Sequence, residues 1–172
     1  MDQAFLVIKE SIIHGKGLFT KKAFLKSEMV CSSDLRLLPQ TSVLEVESWN
    51  LEMRKAFLEY AFQGGDNFYY GDHSAFISDP SFTMNHSCNP NCAHKTDADI
   101  IALRKIMPHE ELTIDYATIM SPKGLEEPFS CNCGSKGCRM KVTRYDCLLP
   151  EIQRKYWPYF LSFIYDSIKI ID

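Results

Sequence analysis

Three thiols in a C-x-C-x4-C run, Cys131, Cys133 and Cys138, stand at a spacing that suits a metal ion and lack a fourth ligand. Zinc takes thiolates in closed, four-coordinate tetrahedral sites. Cys88 would complete such a set, and Cys92 is its rival. Both lie in Asn85-His86-Ser87-Cys88-Asn89-Pro90-Asn91-Cys92, where Asn, Ser and Pro favour a tight, irregular turn. Two other stretches carry usable groups. His14-Gly15-Lys16-Gly17 is a turn whose glycines permit positive φ and close backbone approach. Glu110-Glu111-Leu112-Thr113-Ile114-Asp115-Tyr116 ends a strand-like run on a carboxylate and a phenol. Taken singly, each has an ordinary reading: a hairpin turn, a satisfied core histidine, a buried strand-end tyrosine. Cys31 and Cys147 read as buried or incidental thiols.

These groups need elements to bring them together. Phe5 to Ile13 alternates weakly and predicts a strand; Leu18-Phe19-Thr20 and Glu28 to Ser32 predict two more. Thr41 or Ser42 caps a helix, with Glu45 placed for a capping box on Ser42. Val43, Val46, Leu51, Phe57, Leu58, Ala61 and Phe62 keep helical spacing only with a break near Trp49-Asn50. Two short helices, or one interrupted, therefore end at Gly64-Gly65. Asn67 to Tyr70 and Ser74 to Ser78 read as a hairpin around Gly71-Asp72. Phe76 to Met84, broken at Asp79-Pro80, leads strand-like into the Asn85 turn. Asp99 to Arg104 and Glu111 to Tyr116 flank a turn at Met107-Pro108-His109-Glu110, and Ser121 to Pro128 is a loop. Pro150 opens an amphipathic helix through Ile152, Tyr156, Tyr159, Phe160, Phe163 and Ile164, kinked at Pro158. The class is mainly β with helical insertions.

At 172 residues the chain is one domain, or one domain with a tail, with room for a real core. No apolar run approaches the ~18 residues of a membrane span, and the N-terminus shows no secretory signal, so no membrane partner is expected. Seven cysteines, several at metal-like spacing, point to a reducing compartment and away from a disulfide framework. The expected location is intracellular, nuclear or cytoplasmic. A net charge of −3 without a concentrated basic run argues against direct nucleic-acid binding and suits a basic partner.

Jointly, His14-Gly15-Lys16-Gly17-Leu18-Phe19, Asn85-His86-Ser87-Cys88-x-Pro90-Asn91, Glu110-Glu111-Leu112-Thr113-x-Asp115-Tyr116 and the C-x-C-x4-C run resemble the SET-domain protein lysine methyltransferases. The blocks occur in family order and frame roughly residues 5 to 140. The resemblance implies a fold of several small sheets with a pseudoknot-like C-terminal region. It divides the chain into a SET domain over 5–120 (helical insertion about 42–63), a post-SET zinc segment over 126–142 and a C-terminal helix over 148–172. It implies S-adenosylmethionine as methyl donor and a lysine in a protein or peptide, such as a histone tail, as acceptor.

Roles follow from the same resemblance. The turn at Lys16, Gly17 and Leu18 would meet the cofactor's methionine end, Asn85 and His86 its amino group and adenine edge, and Phe129 and Asn132 would cap the adenine. Tyr116 would orient the amine at the end of a lysine channel. Asp115 would fix the backbone there rather than transfer a proton. Ile114 stands where many relatives carry Phe or Tyr: either its lack of a hydroxyl and ring gives the amine more room and favours higher methylation, or Tyr69, Tyr70 or Phe68 refills the channel beside it. The resemblance selects Cys88 over Cys92 as the fourth ligand with Cys131, Cys133 and Cys138. Met140 stands where Gly is common, and Thr83-Met84 also departs from the usual pattern.

Overall fold

The computed structural model describes residues 4–71 and 79–168. In chain order, β1 (Leu6–Glu10), β2 (Lys16–Thr20), β3 (Met29–Ser32) and β4 (Gln40–Ser42) lead into α1 (Val43–Ser48) and α2 (Leu51–Leu58). Then come β5 (Phe62–Gly65), β6 (Phe68–Tyr70), β7 (Asn85–His86), β8 (Cys92–His94), β9 (Asp99–Ala102) and β10 (Glu111–Ile114). β11 (Phe129–Ser130), β12 (Lys141–Val142) and α3 (Pro150–Tyr156) follow. The strands form small sheets, in the orders β1-β2-β10-β7, β3-β9-β8, β4-β6-β5 and β11-β12.

The first sheet gathers the sequence motifs. β1 and β2 are antiparallel across the glycine turn, where Gly15 takes φ +41° and its carbonyl accepts from the Ser11 N–H at 2.8 Å. β10 runs antiparallel to β2, with Leu112 opposite Leu18, and both leucines are fully buried. β10 also pairs in parallel with β7, Thr113 opposite Asn85 and Ile114 opposite His86. Three segments far apart in the chain thus end side by side. Asn91 fixes this register: its side chain donates to the Glu111 carbonyl and accepts from the Thr113 N–H, each at 2.8 Å.

The helical insertion breaks as its spacing predicts. Ser42 Oγ accepts from the Glu45 N–H at 3.1 Å to open α1, Trp49 is extended, and Asn50 Oδ1 accepts from the Met53 N–H at 2.9 Å to open α2. Val46, Phe57 and Tyr69 make a small core of their own, with Trp49 edge-on to Phe57. α2 stops at Leu58, short of the expected Gly64-Gly65 end, because Phe62–Gly65 is a strand. A Cβ on Gly64 would fall 2.4 Å from the Phe68 ring and 2.5 Å from Tyr70, so the glycine lets the strand lie on aromatic faces. β6 pairs with β4 and β5. The second arm of the expected hairpin, Ser74 to Ser78, and the start of the run from Phe76 lie outside the described residues. Pro80–Thr83, expected as strand, is a 3-10 turn, because Asp79 accepts from the Ser81 N–H at 2.9 Å and Pro80 fills the first position.

The expected C-terminal helix is much shorter. α3 ends at Tyr156 and Trp157 is extended, as the residue before a proline prefers. Beyond it Phe160, Leu161 and Ile164 turn back into the main core with Leu18, Leu112 and Ile114, and the Leu161 N–H donates to the Thr118 carbonyl at 3.0 Å. Among the described residues, no helix is long and apolar enough to cross a membrane.

Candidate active site and metal centre

The glycine turn is bolted to the Asn85 strand. Asn85 Nδ2 lies 3.1 Å from the His14 and Lys16 carbonyls and 2.8 Å from Glu111 Oε1. Ser11 Oγ donates to the Glu111 carboxylate at 2.8 Å. A Cβ on Gly17 would sit 2.2 Å from Glu111 Oε1 and 3.0 Å from Asn85 Nδ2, so any larger residue would have to displace the Glu111 carboxylate from this junction. Glu111 was missed by sequence reasoning as a fastener. Its partner Ser11 lies across a strand pairing that no local pattern announces.

Tyr116 follows β10 directly. Its hydroxyl donates to the Met84 carbonyl at 3.0 Å, and its backbone N–H donates to His86 Nδ1 at 3.1 Å. Burial, with the Glu111 charge, pushes the phenol up to about 12, so near neutral pH it stays a donor and is no base. Burial also pushes His86 down to about 4, leaving its ring neutral. Because Nδ1 accepts, the ring proton belongs on Nε2, which lies 3.2 Å from Cys88 Sγ.

Tyr116 lines two cavities. The larger, about 360 Å³, is also bounded by Ile13, His14, Asn85, His86, Phe129 and Asn132. The smaller, about 90 Å³, lies against Ile114, Phe62, Phe82, Met84 and Met120, with Glu59, Asp97 and Glu126 also in its lining. Of the residues expected to hold a cofactor, Asn85, His86, Phe129 and Asn132 share the larger cavity with Tyr116. The glycine turn reaches it through Ile13 and His14, while Lys16 is exposed, Gly17 abuts Glu111 and Leu18 points into the core. The expected channel tyrosines lie elsewhere. Tyr69 is fully buried in the insertion core, its hydroxyl accepting from the Leu125 N–H at 2.7 Å, and Tyr70 stacks on Phe62. Phe62 and Phe82 take the place beside Ile114, edge to face at 5.4 Å. Neither stands out in sequence, because both reach the cavity through tertiary packing.

Cys88, Cys131, Cys133 and Cys138 bring their sulfurs within 4.8 Å of one another and could hold a metal ion. A tetrahedron with zinc–sulfur distances of about 2.3 Å sets sulfurs about 3.8 Å apart. Cys88 and Cys131 Sγ are 3.8 Å apart. The Arg139 and Met140 N–H groups donate to Cys88 and Cys138 Sγ, each at 3.3 Å, as suits thiolates. Cys92, the rival ligand, is fully buried in the main core and outside the cluster.

Next to the last thiol, Arg139 forms a fork on Asp115, Nη1 to Oδ2 at 2.8 Å and Nη2 to Oδ1 at 2.7 Å, and its Nε donates to Asp146 Oδ2 at 2.9 Å. Asp115 also accepts from the Ala117 N–H at 3.0 Å. Its carboxylate therefore fixes the backbone at Tyr116, and Arg139 is the partner that the sequence did not single out.

The chain matches the SET domain family over residues 15–117. It is 32% identical to the human "Histone-lysine N-methyltransferase 2B" over 145 residues, 77% of this chain and 5% of that protein. It is 32% identical to the Drosophila melanogaster "Histone-lysine N-methyltransferase trithorax" over 148 residues, 78% of this chain and 4% of that protein. A Mycosarcoma maydis "Histone-lysine N-methyltransferase, H3 lysine-4 specific" is 31% identical over 142 residues, 78% of this chain and 9% of that protein. The chain thus spans a small part of these relatives' length. With its motifs gathered on one sheet and the match covering more than half its length, this chain belongs to the SET-domain family.

Proposed function

We propose that the protein is an S-adenosylmethionine-dependent protein lysine N-methyltransferase. The observation that carries this reading is that one half-buried phenol, Tyr116, borders both the larger cavity and the smaller one. In this reading the larger cavity holds the cofactor, through Asn85, His86, Phe129, Asn132 and the backbone of the glycine turn. The smaller takes the lysine side chain. When bound, S-adenosylmethionine supplies an electrophilic methyl group on a sulfonium. The relatives' printed names, and the acidic Glu59, Asp97 and Glu126 in the smaller cavity, favour a lysine in a basic segment such as a histone tail.

The chain's own contribution is alignment and desolvation. Neutralising a lysine of pKa near 10.4 at pH 7 costs about 4.6 kcal/mol. The apolar side chains Ile114, Phe62, Phe82 and Met120 disfavour the charged amine, against the carboxylates of Glu59, Asp97 and Glu126 in the same lining, which favour it. The Tyr116 phenol oxygen and the Met84 carbonyl, 3.0 Å apart, can accept the amine's N–H groups and leave its lone pair free for in-line attack. Zinc on Cys88, Cys131, Cys133 and Cys138 would clamp the segment carrying Phe129 and Asn132 against the cofactor cavity. Ile114 brings neither hydroxyl nor ring, which leaves room for more than one methyl group.

The test is methyl incorporation from labelled S-adenosylmethionine into core histones, with mass spectrometry locating the lysine. Tyr116→Phe should keep the fold and cofactor affinity while lowering kcat by about a hundredfold. Cofactor binding without methylation of any protein, or wild-type turnover by Tyr116→Phe, would overturn this reading.

A further inference from the structure

Two residues link the thiol cluster to Tyr116 or to its neighbour Asp115. His86 accepts the Tyr116 N–H at Nδ1 (3.1 Å) and faces Cys88 Sγ with Nε2 (3.2 Å). Arg139 takes hold of Cys88 Sγ by its backbone N–H (3.3 Å) and of Asp115 by both terminal nitrogens. Asp115 is fully buried at its carboxylate and immediately precedes Tyr116. The far side of the fork is also fixed, since Asp146 accepts from Arg139 Nε and from Thr143 Oγ1 at 2.7 Å. A guanidinium with its three nitrogens engaged by two oriented carboxylates has one orientation available, and a lysine ammonium cannot reproduce it.

We propose that Arg139 is a positioning residue, which with His86 ties the placement of Tyr116 to the loaded four-thiol site. This rests on the methyltransferase reading for its kinetic consequence, but not for its geometry. Zinc fits the donor set, as the sulfur spacing shows. With the ion bound, Cys88 and Cys138 are held, so the residue after Cys138 is held as well. The guanidinium then presents a fixed fork to Asp115. Without that anchor Asp115 keeps its cap on Ala117 but loses the restraint that sets the backbone at Tyr116. Burial of the Asp115 carboxylate makes the restraint stiff, because an unpaired Asp115 has no solvent to turn to.

The experiment compares the wild-type chain with Arg139→Lys, each prepared with zinc and checked by elemental analysis. Selective nitrogen labelling of tyrosine follows the Tyr116 amide resonance, identified by its loss in Tyr116→Phe. Arg139→Lys should retain one zinc per chain, move the Tyr116 resonance, and lower kcat by about tenfold to a hundredfold with little change in KM. A merely structural role would instead lower zinc content or shift the melting temperature, with resonance and kcat unmoved in the folded fraction. Asp146→Asn leaves every thiol and Asp115 in place, and it should move the same resonance in the same direction by less. If Arg139→Lys loses zinc, this second variant decides the matter. Full zinc content with the Tyr116 resonance at its wild-type position in both variants overturns the proposal. A wild-type chain that transfers no methyl group overturns the proposed activity, and the resonance comparison still decides this inference.

Discussion

At Met140 the chain carries a long side chain where the backbone wants none. Its φ is +62°, and its N–H donates to Cys138 Sγ while its carbonyl accepts from the Cys131 N–H at 2.9 Å. That reversal wraps the backbone around the thiols and favours glycine there. Met140→Gly should therefore stabilise the zinc-loaded protein by about 1 kcal/mol, a rise of a few degrees in melting temperature. An unchanged or lower midpoint would contradict this. Ile114 invites the opposite kind of change. Ile114→Tyr puts a hydroxyl into the small cavity, where it can hold a water in the space of a second methyl group. Mass spectrometry should then find the product shifted toward monomethyl-lysine, whereas an unchanged ratio of methylation states would remove Ile114 from this role. His94 supplies a pH dependence away from the thiols. It stacks on Phe62, and burial pushes it down to about 4 from an ordinary value near 6.5. Above pH 6.5 both folded and unfolded forms are neutral and nothing is lost. As pH falls from about 6.5 to about 4 the unfolded chain gains a proton that the folded one does not, so about 3 kcal/mol of stability drains away. Urea titrations across that range should show the decline, and His94→Phe should make it shallower, leaving the share that His86 contributes over the same range.

At the level of elements, the glycine turn illustrates what spacing can and cannot announce. The two glycines were legible as a close approach, and the break at Trp49-Asn50 was legible because no single helix could face all of its apolar residues inward. What the turn approaches was not legible: Glu111 and Asn85 arrive through pairings of β2 with β10 and of β10 with β7, which depend on the whole chain. Gly17→Ala should push Glu111 off its place and lower affinity for S-adenosylhomocysteine by about tenfold or more, measured by calorimetry. Wild-type affinity would mean that the junction yields at no cost. The same limit explains the misplaced channel aromatics. Tyr69 and Tyr70 looked available beside Ile114, but β6 faces the insertion core and β5, while Phe62 and Phe82 come from a strand and a turn read as helix end and strand.

For the molecule as a whole, the thiol cluster joins segments that share little else. Among the described residues β11 and β12 pair only with each other, and the core beneath them is Cys88, Cys131 and Val142 with Tyr116 packed alongside. Metal in such knuckles is worth apparent values of about 10–16 kcal/mol in isolated peptides. Chelation should therefore abolish cofactor binding and leave β1–β10 largely intact, with a single melt of smaller enthalpy remaining. The C-x-C-x4-C spacing made three of these thiols readable and the family resemblance chose Cys88, yet the cluster's support was hidden. The Cys88 carbonyl receives Lys155 Nζ at 2.8 Å and the Tyr156 hydroxyl at 3.3 Å, so α3 closes on the metal-bearing turn from behind. Sequence boundaries drawn at the last cysteine would cut this brace away. Lys155→Met with Tyr156→Phe would keep every ligand and every cavity residue, yet should release zinc to a competing chelator faster than the unaltered chain.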